Sequence, residues 1–279
     1  MTYSRLRKIF GSPARIGLGG EGVLRTRGKD REAAAMLDAA YESGIRYFDS
    51  APAYDGSEAY LGRFWREHPG RIAGSFQASK SARRDRAGAD ADLRRSLGQL
   101  GRERLGLWQM HDIRTEEDLR RIRDPGGAWQ AFAEARDTGT VGGIGVTGHH
   151  DPAVLLNAVT HLDVDAVLLP VNPVEVVIGG FTDTVIPAAR ERGIGVIGMK
   201  TLGAKNFIFP DAGIHAPALV RFALSQDIDL AIVGCSTPVE AQALASVGRK
   251  RPMDEEEQAQ LIGMFRPYAR ELAFYRMGV

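Results

Sequence analysis

The stretch GIRYFDSAPAYDGSEAYLGRFW, residues 44–65, combines a short apolar run, a carboxylate and a tyrosine within a few positions. Tyr47-Phe48-Asp49 has the pattern of a short buried strand that ends on a charged residue. Tyr54 follows in a short linker, and SEAYLGRFW after it has the spacing of a helix. The stretch therefore predicts one β–α unit with polar side chains at the end of its strand.

The same alternation of a brief apolar run and a helical segment recurs along the chain. The predicted strands are residues 16–20, 47–49, 75–80, 105–111, 143–146, 166–169, 194–200 and 230–233. They lack a clean polar–apolar alternation, as expected of strands that are buried on both faces. About eight such units favour a closed α/β fold, the (β/α)8 TIM barrel. A doubly wound open sheet is disfavoured because GLGGEG, residues 17–22, lacks the GxGxxG spacing.

The remaining segments are predicted to add small elements to one barrel domain, residues 1–279. Residues 3–15 mix polar and apolar side chains with a glycine and a proline, which fits a short N-terminal hairpin or a leader. A C-terminal helix is predicted over about residues 253–275. Residues 112–127 form a short, charged loop, and the turn-rich residues 203–215 form a candidate substrate or cofactor loop.

The composition is that of an ordinary globular protein, with 44% hydrophobic and 25% charged residues. The net charge of +1 gives no electrostatic reason to expect nucleic acid or an acidic membrane surface as partner. The single cysteine, Cys235, excludes an internal disulfide and fits a reducing compartment. No signal-peptide pattern is present, and no segment approaches the roughly 20 apolar residues of a membrane span. We therefore predict a cytoplasmic protein.

Four polar residues fall at the carboxyl ends of three consecutive predicted strands. Asp49 ends the second strand, and Tyr54 lies in the loop after it. Lys80 ends the third strand and His111 ends the fourth, so all four are expected on one rim of the barrel. Hydride transfer to a carbonyl leaves an alkoxide that needs a proton, which a tyrosine beside a lysine ammonium can supply. A carboxylate that holds the lysine and a histidine that holds the carbonyl oxygen complete a carbonyl reductase site.

Four segments carry a family resemblance: FDSAPAYDGSEAYLG, FQASK, LWQMH and VGGIGVTGH. They resemble motifs of the aldo-keto reductases, and the resemblance runs over nearly the whole chain. It implies a barrel that binds NADPH in extended form across the strand ends, and a small aldehyde or ketone as substrate. It also implies that Tyr54 donates the proton, that Asp49 and Lys80 tune it, and that His111 orients the carbonyl. No metal is implied.

The residues expected around the nicotinamide match this family in part. The family usually holds the carboxamide with a Ser-Asn pair after strand five and a Gln after strand six. Thr147-Gly148 and Leu168 stand at those places here, and Asn172 is expected to compensate. In the family an aromatic side chain commonly stacks on the nicotinamide ring, and Met199 stands at that place here. Its thioether either packs on the nicotinamide or belongs to the core of the barrel. Lys200 follows and is expected to reach the pyrophosphate.

The adenosine half of the cofactor is predicted at the start of the helix after strand eight, within residues 234–244. Free N–H groups at a helix start bind phosphate, and Ser236 and Thr237 are the expected contacts. An Arg or Gln and an Asn, which the family often uses here, are replaced by Glu240 and Leu244. Glu240 has two interpretations. Thr-x-x-Glu is a capping box, and a carboxylate facing the ribose would repel a 2′-phosphate and favour NAD(H) over NADP(H).

One residue, Glu21, is predicted at the substrate pocket. Glu21 follows GLG where many relatives carry a tryptophan, and it either makes the pocket more polar or faces solvent.

Two alternative functions are considered. One alternative keeps the fold and the cofactor but makes the protein a cofactor-sensing partner subunit with little turnover. The other is a metal-dependent hydrolase, disfavoured because no HxH pair follows the first strand. Its ligands would come from His111, Asp112, His149 and His150.

Overall fold

The computed structural model describes residues 4–12 and 14–276, and it contains eight parallel strands that close into a barrel. The strands are β1 (Ile16–Gly22), β2 (Tyr47–Asp49), β3 (Phe76–Ser81), β4 (Leu107–Met110), β5 (Ile144–Thr147), β6 (Ala166–Pro170), β7 (Gly195–Met199) and β8 (Leu230–Cys235). Each strand pairs in parallel with the next, and β8 pairs with β1 to close the sheet. The predicted (β/α)8 fold is confirmed.

Helices follow the strands and surround the barrel. They are α1 (Arg5–Phe10), α2 (Asp30–Glu42), α3 (Ser57–Glu67), α4 (Arg86–Leu100), α5 (Glu116–Arg123), α6 (Ala128–Asp137), α7 (Pro152–His161), α8 (Pro173–Ile178), α9 (Ile186–Glu191), α10 (Ala216–Leu224), α11 (Pro238–Val247), α12 (Glu255–Phe265) and α13 (Ala269–Leu272). Residues 203–215, predicted as an irregular link, contain two short 3₁₀ turns. Among the described residues, no helix is both long enough and apolar enough to cross a membrane.

The N-terminal segment contains a helix, α1, so the predicted hairpin is wrong among the described residues of 3–15; residues 3 and 13 lie outside them. The Ser4 hydroxyl caps the first turn of α1, and Gly11 ends the helix with a left-handed backbone, φ 64°. Leu6 is fully buried against the amino end of β7, where a Cβ on Gly195 would lie 2.2 Å from the Leu6 Cβ. The two capping residues fix this helix locally, and burial of Leu6 holds it under the barrel.

Two further segments differ from the prediction. Residues 112–127 were expected as a loop but contain α5, which begins with a capping box between Thr115 and Asp118. Three acidic residues in the first turn and three arginines towards the end complement the helix dipole, which explains a helix with so few apolar side chains. The predicted C-terminal helix divides into α12, a 3₁₀ turn and α13. Pro267 lies in that turn, and a proline cannot donate the next helical hydrogen bond.

The apolar side chains form two main layers. Inward-facing residues fill the barrel, among them Tyr47, Leu107, Leu168 and Leu230, with Leu6 below them. A larger cluster lies between the outside of the sheet and the surrounding helices. The barrel interior is therefore closed by packing, and polar side chains are left to gather at the carboxyl ends of the strands.

Candidate active site

The four residues that sequence analysis singled out lie at one rim of the barrel. β2, β3 and β4 are neighbours in the sheet, so Asp49, Lys80 and His111 leave adjacent strand ends. Tyr54 lies in the turn between β2 and α3, with its backbone N–H bonded to the carbonyl of Ala51 at 2.9 Å. The order of the strands thus brings Asp49 and His111 to the same rim, although they are 62 positions apart in the sequence.

Lys80 and Asp49 form a salt bridge that is fully buried, with exposed fractions of 0% and 1%. The Lys80 ammonium also donates to the carbonyl of Ser50 at 2.9 Å. Gln109, which sequence analysis missed, donates to the other Asp49 oxygen at 3.4 Å. Burial by itself lowers the pKa of Lys80, but Asp49 and Tyr54 outweigh it and the pKa is raised. Lys80 is therefore a fixed positive charge under the rim.

Tyr54 lies between this cation and His111. Its ring centroid is 4.7 Å from the Lys80 ammonium nitrogen, and its hydroxyl is 3.5 Å from Nε2 of His111. Burial raises the pKa of the phenol, and Lys80 lowers it by less, so the net pKa is raised. The lysine acts in the expected direction, but burial is the larger effect in this structure. The Tyr54 hydroxyl therefore holds its proton at neutral pH, as a proton donor must.

His111 is a neutral imidazole at the same rim. Burial, reinforced by the positive charge of Lys80, lowers its pKa from 6.5 to about 3. Arg84 holds the backbone that follows the His111 side chain by donating to the carbonyls of His111 at 2.9 Å and Asp112 at 2.7 Å. A neutral imidazole fixed in this way can donate one hydrogen bond to a substrate oxygen without changing its charge.

We expect the free energy of unfolding to fall as the pH is lowered from about 6.5 to about 4. The pKa of His111 is lowered to about 3 and that of His149 to about 4, mainly by burial. In this window the unfolded chain binds more protons than the native one, so acid favours unfolding by up to about 1.4 kcal/mol per pH unit for each imidazole. Urea unfolding across this range should show a shallower pH slope for His111→Asn than for the wild type. An unchanged slope in that variant, or a matching decrease in the exposed control His161→Asn, would contradict the assignment.

Gly20, near the end of β1, packs against the ring of Tyr54. A Cβ on Gly20 would lie 2.7 Å from the Tyr54 ring, so only glycine allows the ring this position. Glu21, predicted to line the substrate pocket, is half exposed and pairs with Arg25 at 2.7 Å. The Arg25 guanidinium lies 5.5 Å from the centroid of the Tyr54 ring. Arg25 was not singled out from the sequence, because its approach to Tyr54 depends on the fold of the turn that follows β1.

Two of the predicted nicotinamide contacts are engaged within the protein. The Thr147 hydroxyl accepts from the backbone N–H of Asp112 at 2.8 Å. Asn172 is fully buried and caps α8: its side-chain oxygen accepts from the Glu175 N–H at 3.0 Å. The Asn172 amide donates to the Tyr275 hydroxyl at 2.9 Å and to a backbone carbonyl at 3.2 Å. A cofactor contact by either side chain stays a prediction, and for Asn172 it would require exchange of these bonds.

Met199 and Lys200 lie where β7 ends. Met199 is partly buried and packs on the side chains that fill the barrel, so it can both close the core and face a ring placed above it. Lys200 has a left-handed backbone, φ 55°, and its ammonium lies 5.9 Å from the centroid of the Tyr275 ring. Burial lowers the pKa of this lysine. Tyr275, near the C-terminus, was missed because nothing local in the sequence marks it.

The start of α11 is occupied by its own capping residues. The Thr237 hydroxyl accepts from the Glu240 N–H at 3.2 Å, and the Glu240 carboxylate accepts from the Ser236 N–H at 2.5 Å. The Thr237 half of the predicted capping box is therefore formed, but the Glu240 carboxylate binds the N–H of Ser236 rather than that of the N-cap residue Thr237. Beside this helix start lies a cavity of about 270 Å³ with a mainly apolar lining that includes Leu202, Val233 and Leu244. Its lining and position fit the adenosine half of a dinucleotide.

The rim as a whole supports acid catalysis on a polar substrate. It offers a protonated phenol, a neutral imidazole 3.5 Å away and a buried cation that stabilises negative charge on the phenol. Asp49 and Lys80 lie on strands, and the backbone N–H groups of Tyr54 and His111 are bonded to the carbonyls of Ala51 and Ser81, so the spacing of the four groups is fixed before a ligand binds. Such an arrangement can deliver a proton to an oxygen on which negative charge develops.

Comparison with known proteins identifies a family and curated relatives. The family model described as "Aldo/keto reductase family" matches residues 15–207. Pyridoxal 4-dehydrogenase from Microbacterium luteolum is 25% identical, over 77% of this chain and 78% of the relative. D-threo-aldose 1-dehydrogenase from a Pseudomonas species is 29% identical, over 60% of this chain and 59% of the relative.

Solved structures share the barrel. An aldo-keto reductase from Klebsiella pneumoniae in complex with NADPH has a TM-score of 0.74 at 17% identity, covering 90% of this chain and 91% of that one. An aldo-keto reductase from Bacillus halodurans in its holo form has a TM-score of 0.71 at 18% identity, covering 90% and 91%. At these identities the likeness is one of fold.

Proposed function

Because this chain belongs to the aldo/keto reductase family, whose model matches residues 15–207, we propose that it interconverts a small aldehyde or ketone and the alcohol with NADP(H) or NAD(H). The family match makes this chain an oxidoreductase of that family and confirms the resemblance found in the sequence. Both curated relatives carry names of dehydrogenases. The same proton donor serves reduction and, in reverse, oxidation.

One observation carries the proposal. The Tyr54 hydroxyl lies 3.5 Å from His111 Nε2, and its ring lies 4.7 Å from the buried ammonium of Lys80. A phenol with a hydrogen-bonding imidazole on one side and a cation on the other is suited to pass a proton to an alkoxide.

In the proposed reaction the chain's own residues bind the carbonyl oxygen and supply its proton. A bound nicotinamide supplies the hydride. Tyr54 donates its proton to the oxygen as negative charge develops there, and Lys80 stabilises the phenolate that remains. Neutral His111 donates a hydrogen bond that orients the oxygen. Asp49 keeps Lys80 charged and in place, and so acts as a positioning residue.

The proposed cofactor site extends from the rim to the cavity beside α11. We expect Thr147, Asn172 and Met199 to lie beside the nicotinamide and Lys200 to reach the pyrophosphate. All four lie at the carboxyl ends of β5, β6 and β7. The apolar cavity of about 270 Å³ lies at the other end, next to the start of α11. An apolar lining can pack on a purine, and we propose that Ser236 and Thr237 bind the ribose phosphate in exchange for their present bonds with Glu240. No metal ion takes part in this proposed reaction.

We expect Glu240→Gln to raise kcat/KM with NADPH by about fivefold while changing that with NADH little. The exposed carboxylate lies at the start of α11, where it repels a 2′-phosphate by an amount typical of solvent-exposed charges, about 1 kcal/mol. Glutamine retains the shape of the side chain. The measurement is the ratio of the two efficiencies, with Glu256→Gln on α12 as the control. Equal ratios in wild type and Glu240→Gln would show that this carboxylate does not discriminate between the cofactors.

The proposed function is tested by label transfer. The full-length protein is incubated with a panel of small aldehydes and with NADPH or NADH that carries deuterium at the transferred position. Deuterium in the product alcohol, above a protein-free control, is the expected result. Tight cofactor binding without transfer to any of the panel would instead support the cofactor-sensing alternative. Absence of binding to both cofactors would overturn the proposed cofactor site.

A further inference from the structure

Asp112, His149 and His150 form a cluster of potential metal ligands where β4 and β5 end, beside the four residues of the active site. One donor atom from each residue lies within 4.8 Å of the other two. Asp112 Oδ1 is 3.2 Å from Nε2 of His149 and 3.2 Å from Nε2 of His150. Two metal bonds of about 2.0 Å at a tetrahedral angle place their ligand atoms about 3.3 Å apart. The observed spacing therefore already matches two edges of a zinc coordination tetrahedron.

Neighbouring groups orient these ligands. Nδ1 of His149 lies 3.3 Å from the backbone carbonyl of Tyr275, which can only accept a hydrogen bond. This contact places the ring proton on Nδ1 and leaves a lone pair on Nε2, the atom that faces Asp112. The second oxygen of Asp112 is held by Arg114 at 2.6 Å, so Oδ1 alone is turned towards the histidines. Carbonyl and guanidinium partners of this kind typically fix the ligands of metal sites.

The contacts inside the cluster leave two polar atoms unsatisfied. Asp112 Oδ1 and His150 Nε2 are buried and lie 3.2 Å apart, but neither makes a well-directed hydrogen bond among residues 4–12 and 14–276. Buried polar atoms without a partner are rare in folded proteins because each one raises the free energy of the native state. A cation between Oδ1 and the two imidazoles would satisfy both atoms at once.

We propose that Asp112, His149 and His150 bind one Zn²⁺ ion through Oδ1 and the two Nε2 atoms, with a water at the fourth position. Two imidazoles and one carboxylate select a borderline transition metal over Mg²⁺ or Ca²⁺, which prefer oxygen ligands. The side chains are 15–19% exposed, so the site can be reached from solvent. The positive charges of Arg114 and Lys200 nearby oppose the ion, which favours an exchangeable zinc over a permanently held one. This proposal departs from the prediction that the chain has no metal site.

Binding is tested on the tag-free, full-length protein after dialysis against a chelator. Calorimetric titration with zinc chloride should give one equivalent per chain, and titration with Co²⁺ should give the intense visible bands of a tetrahedral site. His150→Asn and Asp112→Asn should each weaken Zn²⁺ binding by more than about tenfold. Asparagine tolerates the left-handed backbone of residue 112, φ 55°, so the second variant is expected to fold. His161→Asn, an exposed histidine on α7, should bind Zn²⁺ as the wild type does.

The outcomes separate this proposal from the proposed reductase activity because zinc binding is read without turnover. Binding that is equally lost in His161→Asn, or unchanged in both cluster variants, would overturn the site. An octahedral Co²⁺ spectrum would overturn the tetrahedral geometry. Circular dichroism of each variant must match the wild type, and if Asp112→Asn unfolds, His150→Asn decides the question. Failure of zinc binding leaves the Tyr54 site untouched, and failure of label transfer leaves the zinc site untouched.

Discussion

Replacing Tyr54 by phenylalanine is expected to lower kcat/KM for carbonyl reduction by about 10²- to 10⁴-fold, the usual contribution of a general acid. The variant keeps the ring that packs against Gly20 and beside Lys80 but removes the hydroxyl that lies 3.5 Å from His111 Nε2. Affinity for the reduced cofactor should be unchanged, because the hydroxyl is not among the predicted cofactor contacts. Steady-state oxidation of NADPH or NADH by an accepted aldehyde, together with fluorescence titration of the cofactor, measures both quantities.

The control for this variant is Tyr268→Phe, which removes the hydroxyl of an exposed tyrosine far along the chain. It should retain wild-type kinetics. The pH dependence gives a second check. The raised pKa of Tyr54 keeps its proton in place through neutral pH, so wild-type reduction should decline only above pH of about 10. A Tyr54→Phe enzyme with more than about a tenth of wild-type efficiency would exclude Tyr54 as the proton donor.

Replacing Lys80 by methionine is expected to destabilise the protein by about 3–5 kcal/mol, because it leaves the Asp49 carboxylate buried without its partner. The double variant Lys80→Met/Asp49→Asn should recover most of that loss, because a neutral pair needs no counter-charge in a dry site. Activity should behave differently. Both variants lack the cation that stabilises the Tyr54 phenolate, so both should lose at least about a hundredfold in kcat/KM. Urea unfolding and steady-state kinetics on the same samples measure the two effects.

Stability and activity should respond differently to the second substitution, Asp49→Asn. If the double variant recovered activity along with stability, Lys80 would have a structural role only. If it recovered neither, the loss would reflect misfolding of the rim rather than the missing charge. A matched control is Arg63→Met, which breaks the exposed ion pair with Asp30 and should cost no more than about 1 kcal/mol.

Much of the fold could be read from the sequence because its signals are local. Apolar runs such as 194–200 and 230–233 predict strands by composition, and their number and short links predict closure into a barrel. The misread segments are those in which capping decides the conformation. Ser4 and Gly11 make a helix of a segment expected to be a hairpin or leader, and α5 forms in a charged segment through its capping box.

The catalytic grouping was also accessible, because strand order in a barrel converts sequence position into spatial neighbourhood. Asp49, Lys80 and His111 end consecutive strands, and consecutive strands are adjacent. The polar partners around them were not accessible in the same way. Gln109 lies within a strand, and Arg25 reaches Tyr54 across the rim, so each contact depends on side-chain direction in the folded chain.

By itself, the sequence determined the barrel, the placement of four polar residues at adjacent strand ends and the capping pattern at Thr237 and Glu240. Only the tertiary structure decided how charge is balanced in the site. Burial, which no short segment reveals, raises the pKa of Tyr54 despite Lys80 and lowers that of His111 to about 3. The tertiary structure also brings His149 and His150 together with Asp112. Asp112 and His149 are 37 positions apart in the sequence, but β4 and β5 are paired, so the loops that follow them lie side by side. Local patterns set the elements, but burial and long-range contacts set the chemistry of the groups they carry.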